Sequence, residues 1–171
     1  MNWDRERLRI TYHECAHAAA HLSLGASSVT WLSVTGYGRS LDGKCFYDPA
    51  RPENAYAMLV AALAGPACDK HFFDLEPDIR TGDWRNAGDF ASRISGLDVE
   101  AALVRGQKFA RLLVSRYAGA IEQLAAQLFK AGGHLDGEAA TRILRDAGVR
   151  PGCFYQASLQ ACRYRPTQPA I

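Results

Sequence analysis

The residues best suited to chemistry lie together near the start of the chain, in the segment HECAHAAAH. This segment places histidines at positions 13, 17 and 21, with Glu14 directly after the first. Because an α-helix has about 3.6 residues per turn, His13 and His17 share one helical face and can direct their imidazoles at one metal ion. The pattern H-E-x-x-H therefore predicts a site for one Zn²⁺ per chain, with His13 and His17 as ligands.

Glu14 is the predicted catalytic residue of this motif. Zinc lowers the pKa of a bound water to about 7. A neighbouring glutamate can then take the proton as the water attacks a carbonyl carbon. The motif thus predicts hydrolysis of an amide bond, and the alternative is an amphipathic helix that carries histidines without a metal.

A zinc site of this kind needs a third protein ligand. His21 is unsuitable, because at 1.5 Å per residue it lies about 12 Å along the helix from His13. We expect His21 to pack behind the ligands. A carboxylate on a rigid element is favoured as the third ligand, and Asp89 lies near the start of a predicted short helix. The carboxylates that remain open on these grounds are Asp69, Glu76, Asp83, Asp89 and Glu100.

Hydrophobic periodicity and turn residues predict a mainly α-helical chain with one small β-hairpin, which is an α+β class. The segment 74–86 lacks a period and is predicted to be a loop, and a kink or a break is expected at Gly65-Pro66. Residues 1–150 are predicted to form one domain, and residues 151–171 an extension that is partly helical and then flexible. The predicted helices are 4–24, 52–73 with its kink, 87–96, 99–131 and 136–147, and the predicted strands are 28–35 and 44–49.

Composition excludes several classes of function. The 171 residues are 48% hydrophobic and 22% charged, which fits one domain with a core. The net charge is only +2 and basic residues are scattered, so no nucleic-acid partner is expected. The longest apolar run, 55–65, is shorter than the roughly 20 residues of a membrane span. The five cysteines include no C-x-x-C pair, which is typical of a reduced, cytoplasmic protein.

The order of several segments resembles the peptidase domain of the FtsH-type zinc metalloproteases, from about residue 9 to residue 147. These segments are HECAHAAAH, SVTWLSVTGYGRSLDGKCFYDP, AMLVAALAGPACDKHFF, TGDWRNAGDFASRI and AAQLFKAGGHLDGEAATRIL. The resemblance implies an FtsH-peptidase-like helical zincin fold. The family also has an ATPase module, but this chain shows no G-x-x-x-x-G-K-[ST] motif.

Carried over residue by residue, the resemblance makes His13, His17 and Asp89 the zinc ligands and Glu14 the base. The segment TGDWRNAGDF has two more residues than the family's stretch before the matching aspartate, which leaves Asp83 as an alternative ligand. Asp69 in GPACDK matches a family glutamate and is expected to support the site.

The family's hairpin edge is where an extended substrate adds as a strand. By this resemblance, Val29, Trp31 and Ser33 are candidate substrate-binding residues. The alternative is that the hairpin only covers the core.

The sequence therefore predicts a stand-alone, ATP-independent zinc metallopeptidase of the cytoplasm. Its expected substrates are peptides, flexible segments or one protein partner, and a separate unfoldase is a candidate partner. A monomer or dimer is expected. Two alternatives remain open: a small regulatory H-E-x-x-H protease that cleaves one repressor-type protein, and a catalytically silent peptide-binding or assembly module that keeps the fold.

Overall fold

The computed structural model of the protein describes residues 3–48, 54–79, 81–94 and 96–154. Helices dominate these residues, and three short strands form one antiparallel sheet, so the predicted α+β class is confirmed. Most of the predicted extension, residues 155–171, lies outside the described residues. The elements are α1 (Trp3–Leu24), β1 (Val29–Thr35), β2 (Asp42–Tyr47), α2 (Ala55–Ala62), α3 (Ala64–Phe73), α4 (Gly82–Ala91), α5 (Val99–Arg116), α6 (Ala118–Lys130), β3 (His134–Asp136) and α7 (Gly137–Asp146).

Helix α1 runs through the centre of the molecule. From Thr11 to Leu24 it is buried except at Tyr12, His13 and Leu22. Many of its buried side chains are alanines, whose small size lets neighbouring helices approach closely. Helices α2, α3 and α6 and the sheet all pack against it. The motif histidines are therefore carried on a core helix and not on a surface one.

The sheet has the strand order β2-β1-β3. The predicted hairpin of β1 and β2 is present and antiparallel, while β3 pairs with the other side of β1 through Trp31, Leu32 and Ser33. Leu32 and Val34 are buried in the core. The sequence did not predict β3, because three residues are too few to show an alternating pattern.

The kink or break predicted in the helix after Pro52 is present as a break between two helices. Helix α2 ends at Ala62 and α3 begins at Ala64. Pro66 occupies the first turn of α3, where a backbone N–H has no intrahelical acceptor in any case. Its ring would clash with the carbonyl of Ala62 if the helix continued, so the break falls just before the proline.

The predicted helix 99–131 is divided at Tyr117. The Tyr117 N–H donates to Leu113 O at 3.0 Å, and Tyr117 O accepts from the Ile121 N–H at 2.9 Å. The hydrogen-bond ladder is thus kept on both sides of the break between α5 and α6. The last predicted helix is confirmed as α7, and Asp136 caps it by accepting a hydrogen bond from the Ala139 N–H.

None of the helices in the described parts of the chain is both long and apolar enough to span a bilayer. Cys15, Cys45, Cys68 and Cys153 are free thiols. Cys162 lies outside the described residues.

Gly106 of α5 faces the core, and this position tests how tightly the helices pack. A Cβ there would lie 2.9 Å from Leu59 Cγ and 3.0 Å from Leu63 Cδ1. By contrast, a Cβ at Gly88 of α4 would meet nothing within 4 Å. We expect Gly88→Ala to raise the free energy of unfolding by about 0.5–1 kcal/mol through helix propensity. Gly106→Ala should instead lower it by about 1–3 kcal/mol through overpacking. Urea titration of both variants checks this, and equal effects would contradict the described packing.

Candidate metal centre

His13 and His17 lie one turn apart on α1, with ring centroids 4.9 Å apart. His13 is half-buried and His17 is buried. The Nε2 atoms of both rings face the carboxylate of Asp83, which comes from the first turn of α4. Asp83 Oδ2 lies 2.9 Å from His13 Nε2, and Asp83 Oδ1 lies 3.5 Å from His17 Nε2. The ligand atoms of these three residues are all within 4.8 Å of one another, so the group can hold a metal ion.

The outer nitrogens of both rings are also held. His17 Nδ1 lies 2.8 Å from the carbonyl oxygen of Ala61, which can only accept, so Nδ1 carries the hydrogen. Ala61 is in the last turn of α2, where carbonyls lack a full set of intrahelical donors. His13 Nδ1 lies 2.9 Å from Asp69 Oδ2. Such contacts fix the ring orientation and leave Nε2 for the metal.

Asp69 is positioned by Arg9 of α1. The guanidinium Nη1 of Arg9 donates to Asp69 Oδ2 at 2.6 Å, and its other side pairs with Glu6 at 2.7 Å. The structure thus places Asp69 behind His13, between that ring and an arginine. No pattern in the sequence indicates this role for Arg9.

Gly65 of α3 lies directly under the two imidazoles. A Cβ at this position would collide with Nε2 of both His13 and His17. The absence of a side chain is therefore a requirement of the site, whereas the sequence pattern indicates this glycine only as part of a kink or break.

The ionisable groups of the centre are strongly coupled. Burial lowers the pKa of His13, but its contacts with Asp69 and Asp83 outweigh this effect and raise the pKa to about 10. Burial also lowers the pKa of His17, but the negative charge of Asp83 outweighs burial, and the net effect is a raised pKa. Burial raises the pKa of Asp83, but His17 and His13 outweigh it and hold this pKa below its usual value. These contacts favour an ionised Asp83 beside protonated imidazoles, so a metal ion that binds here would displace protons from the two rings.

Asp89 does not join this group. It is exposed on α4, six residues after Asp83. Six residues correspond to a rotation of about 240° and a rise of about 9 Å, so the two side chains point in different directions. The predicted helix 87–96 begins earlier, at Gly82, and Asp83 therefore lies in a first turn and not in a loop. A signal for this start was present in T-G-D, because Thr is a preferred N-cap and Asp is favoured in the first turn.

Glu14 is buried, with 8% of its surface exposed, and points towards β2. A Cβ on Gly43 of β2 would lie 2.9 Å from Glu14 Oε1, so the strand passes this carboxylate closely. Burial raises the pKa of Glu14, and His17 and His13 partly oppose this.

Two cavities meet at Glu14, Gly43 and Asp83. We name the first, of about 350 Å³, the His17-side cavity, and the second, of about 640 Å³, the His13-side cavity. The His13-side cavity is acidic, since one arginine and seven carboxylates are among the described residues that line it. The seven carboxylates are Glu6, Glu14, Asp42, Asp69, Glu76, Asp78 and Asp83. The candidate metal centre therefore lies where a strongly acidic cavity meets a smaller, less charged one.

Val29, Trp31 and Ser33 do not form a free edge. They lie on β1, the central strand, and Trp31 and Ser33 have partners in both β2 and β3. The outer edge on the side of the metal centre belongs to β2, whose Gly43 and Lys44 line the His17-side cavity. Among the described residues, the strand at the edge of the sheet on this side is therefore β2 and not β1.

His21 lies one turn beyond His17 and is 2% exposed. Its ring packs on Tyr47, with centroids 4.2 Å apart, and its Nδ1 is buried without a hydrogen-bond partner among the described residues. His21 does not belong to the metal-binding group, as its spacing from His13 predicts.

No protein-family model matches the chain, and no curated protein is significantly similar to it.

Gly65→Ala should abolish metal binding without unfolding the protein, because the added methyl group would occupy the space of both Nε2 atoms. Gly88→Ala is the matched control, since its methyl group meets nothing within 4 Å. Zinc per chain, measured by elemental analysis, and helicity by circular dichroism check this. Normal zinc content in Gly65→Ala would contradict the geometry of the centre.

His21 should make stability depend on pH. Burial lowers its pKa from 6.5 to about 3, with a smaller contribution from His17. The contribution of His21 to the free energy of unfolding is fully present above pH 6.5 and is lost as the pH falls towards 3. Between these two values the unfolded chain binds a proton at His21 and the folded chain does not. With a chelator present, the unfolding free energy of wild type should fall relative to His21→Phe by up to about 1.4 kcal/mol per pH unit in this window. If the unfolding free energies of wild type and His21→Phe changed equally with pH, a neutral, buried His21 would be contradicted.

Proposed function

We propose that the protein is a zinc-dependent peptidase in which His13, His17 and Asp83 hold the metal and Glu14 is the general base. The observation that carries this proposal is the convergence of two imidazole Nε2 atoms and one carboxylate within 4.8 Å, beside the buried carboxylate of Glu14. The resemblance of the sequence to FtsH-type peptidase domains points to the same activity.

The residues fit a zinc ion. Two histidines and one carboxylate are a ligand set of catalytic zinc sites, which keep a further position for water or substrate. The outer nitrogens of both histidines are held by Asp69 and Ala61, as is usual for metal-binding imidazoles. Gly65 leaves the space between the rings clear. When bound, zinc would supply a Lewis acid that polarises a carbonyl and lowers the pKa of water.

Glu14 has the properties of a proton carrier in this reaction. Its carboxylate lies at the junction of the two cavities, where a reacting peptide bond would have to lie. Because burial raises its pKa, it can accept a proton from the attacking water and donate it to the leaving nitrogen. A buried carboxylate would be costly in a module that only binds peptides, and this favours turnover over a silent binding role.

The substrate proposed for this site is an extended peptide segment. The outer edge of β2 passes along Glu14 at Gly43, and this edge can pair with a substrate strand. An extended chain on this edge would run from the His13-side cavity to the His17-side cavity. Peptides, flexible segments and a partner protein that presents such a segment meet this requirement, and a folded substrate would need a separate unfoldase.

Two aspartates on one helix offer a matched test of the ligand set. Asp83→Asn should weaken zinc binding by more than about 100-fold, since the partners behind metal ligands alone are worth about 10–100-fold. Asp89→Asn should keep the affinity of wild type, because Asp89 is exposed and outside the metal-binding group. Competition with a chromophoric chelator measures both. The reverse result would restore Asp89 as the ligand and overturn the proposed centre.

Glu14→Gln should separate metal binding from catalysis. We expect one zinc per chain to be retained, while cleavage of a quenched fluorescent peptide library falls by about 10²–10⁴-fold, the usual contribution of a general base. Wild-type protein that takes up zinc and cleaves no peptide would overturn the proposed activity. Glu14→Gln protein as active as wild type would overturn the role of Glu14.

A further inference from the structure

A row of aromatic rings crosses the face of the sheet that is turned away from α1. Trp31 of β1 stacks on Phe46 of β2, with ring centroids 3.8 Å apart and ring planes inclined by 17°. On its other side Trp31 meets the ring of His134 of β3, at a centroid distance of 5.7 Å. Each of the three strands thus contributes one ring. The row ends at Phe46, because β2 is the edge strand among the described residues.

The side chains of β2 alternate between the two faces of the sheet. Gly43 faces α1, since a Cβ there would lie 2.9 Å from Glu14 Oε1. Tyr47 faces the same way and packs on His21, with ring centroids 4.2 Å apart. Phe46 lies at odd spacing from both, so it faces away from α1, and it is 41% exposed. The side of its ring that is not stacked is therefore open to a partner.

The His17-side cavity follows the edge of β2. Residues 43–47 of this strand all line it, and the opposite wall includes Met58 and Ala62 of α2 and Asp83 and Asn86 of α4. An extended peptide in this cavity would lie beside β2 as a fourth strand, with alternate side chains on opposite faces. Its outward side chains would therefore continue the rows of the sheet.

The spacing along β2 determines which side chain would meet Phe46. Gly43 lies against Glu14, so the substrate residue that pairs with Gly43 is next to the reacting bond. Phe46 follows Gly43 by three residues, which is about 10 Å along a strand. An odd number of residues reverses the face. A substrate residue opposite Phe46 therefore points outward, while the one opposite Gly43 points towards the metal centre.

We propose that the preferred substrate carries an aromatic side chain three residues from the residue that pairs with Gly43, and that this side chain packs on Phe46. This inference rests on the proposed peptidase function, because the scissile bond defines the register. Aromatic pairs are favoured between neighbouring strands, and one pair is worth about two- to tenfold in affinity. Phe46 is thus a specificity-determining residue on the face of the sheet opposite to the metal.

The first experiment reads the preferred position from cleavage products. Wild type is incubated with short peptides of Ala, Gln and Thr that carry one Phe at successive positions, and the products are identified by mass spectrometry. We expect the cleaved bond to move with the Phe at a constant spacing, and kcat/KM to exceed that of the peptide without Phe by about two- to tenfold. Cleavage that does not follow the Phe, or that falls directly beside it, would overturn the inference.

The second experiment removes the ring. Phe46→Thr keeps a residue that is favoured in strands but has no aromatic face, whereas Phe46→Tyr keeps the face. The control is Phe129→Thr, which removes an exposed ring of α6 that lines neither cavity. Phe46→Thr should cleave the peptides with and without Phe equally well, while the other two variants keep the preference of wild type. An unchanged preference in Phe46→Thr would overturn the role of Phe46.

A third measurement separates this inference from the proposed function. Hydrogen exchange of the β2 amides is measured on zinc-loaded Glu14→Gln protein, which folds independently of any change at Phe46. We expect the peptide with Phe to slow this exchange at a lower concentration than the peptide without it. This result without cleavage by wild type would support the contact with Phe46 and overturn only the peptidase. Cleavage without a preference for Phe would support the peptidase and overturn the contact.

The same exchange measurement tests the other occupants of the edge. If neither peptide slows exchange in β2, no strand is added there, and the inference is overturned. If exchange in β2 slows with rising protein concentration and no peptide, a second copy of the chain pairs with this edge, which would also overturn it.

Discussion

The close approach of α3 to the imidazoles of α1 is the constraint on which the candidate site depends. Gly65 allows this approach, since any side chain there would collide with the two Nε2 atoms. Asp69 follows Gly65 by four residues, so it lies one turn further on the same face of α3 and reaches His13 Nδ1. Ala61, just before the break, offers its carbonyl to His17 Nδ1. The interrupted helix pair α2 and α3 thus orients both rings.

The charged groups of the site form a chain of contacts that begins at Glu6 of α1 and ends at Asp83 of α4. Glu6 pairs with Arg9, Arg9 pairs with Asp69, and Asp69 contacts His13, which faces Asp83. Each charged group has an opposite charge beside it, which offsets the cost of burying them. A change at Arg9 would therefore reach the metal centre through two contacts, although Arg9 itself touches neither Nε2 atom nor Asp83.

The sequence predicted the features that depend on local pattern. The motif helix, the β1–β2 hairpin and α7 follow from hydrophobic periodicity and turn residues, and the structure has them. It did not select Asp83 over Asp89, because that choice depends on where α4 begins and which way it faces α1. The sequence also did not predict that β2 is an edge strand. This depends on β3, a three-residue strand from a distant part of the chain, which pairs with the other side of β1. The roles of Gly65 and Arg9 also come from contacts between elements, which spacing along the chain does not report.

The His13-side cavity carries more negative charge than the His17-side cavity, so the electrostatic potential differs between the two. Seven carboxylates and one arginine line the His13-side cavity, while two carboxylates and one lysine are among the described residues of the His17-side cavity. A peptide with a positive end would therefore be oriented as it approaches, before any side chain is recognised. Because salt screens charges beyond about 8 Å at physiological ionic strength, this selection acts only at the mouth of the cleft. For the proposed peptide substrate, the acidic side would thus determine which way round the chain enters, independently of what the far cavity then accepts.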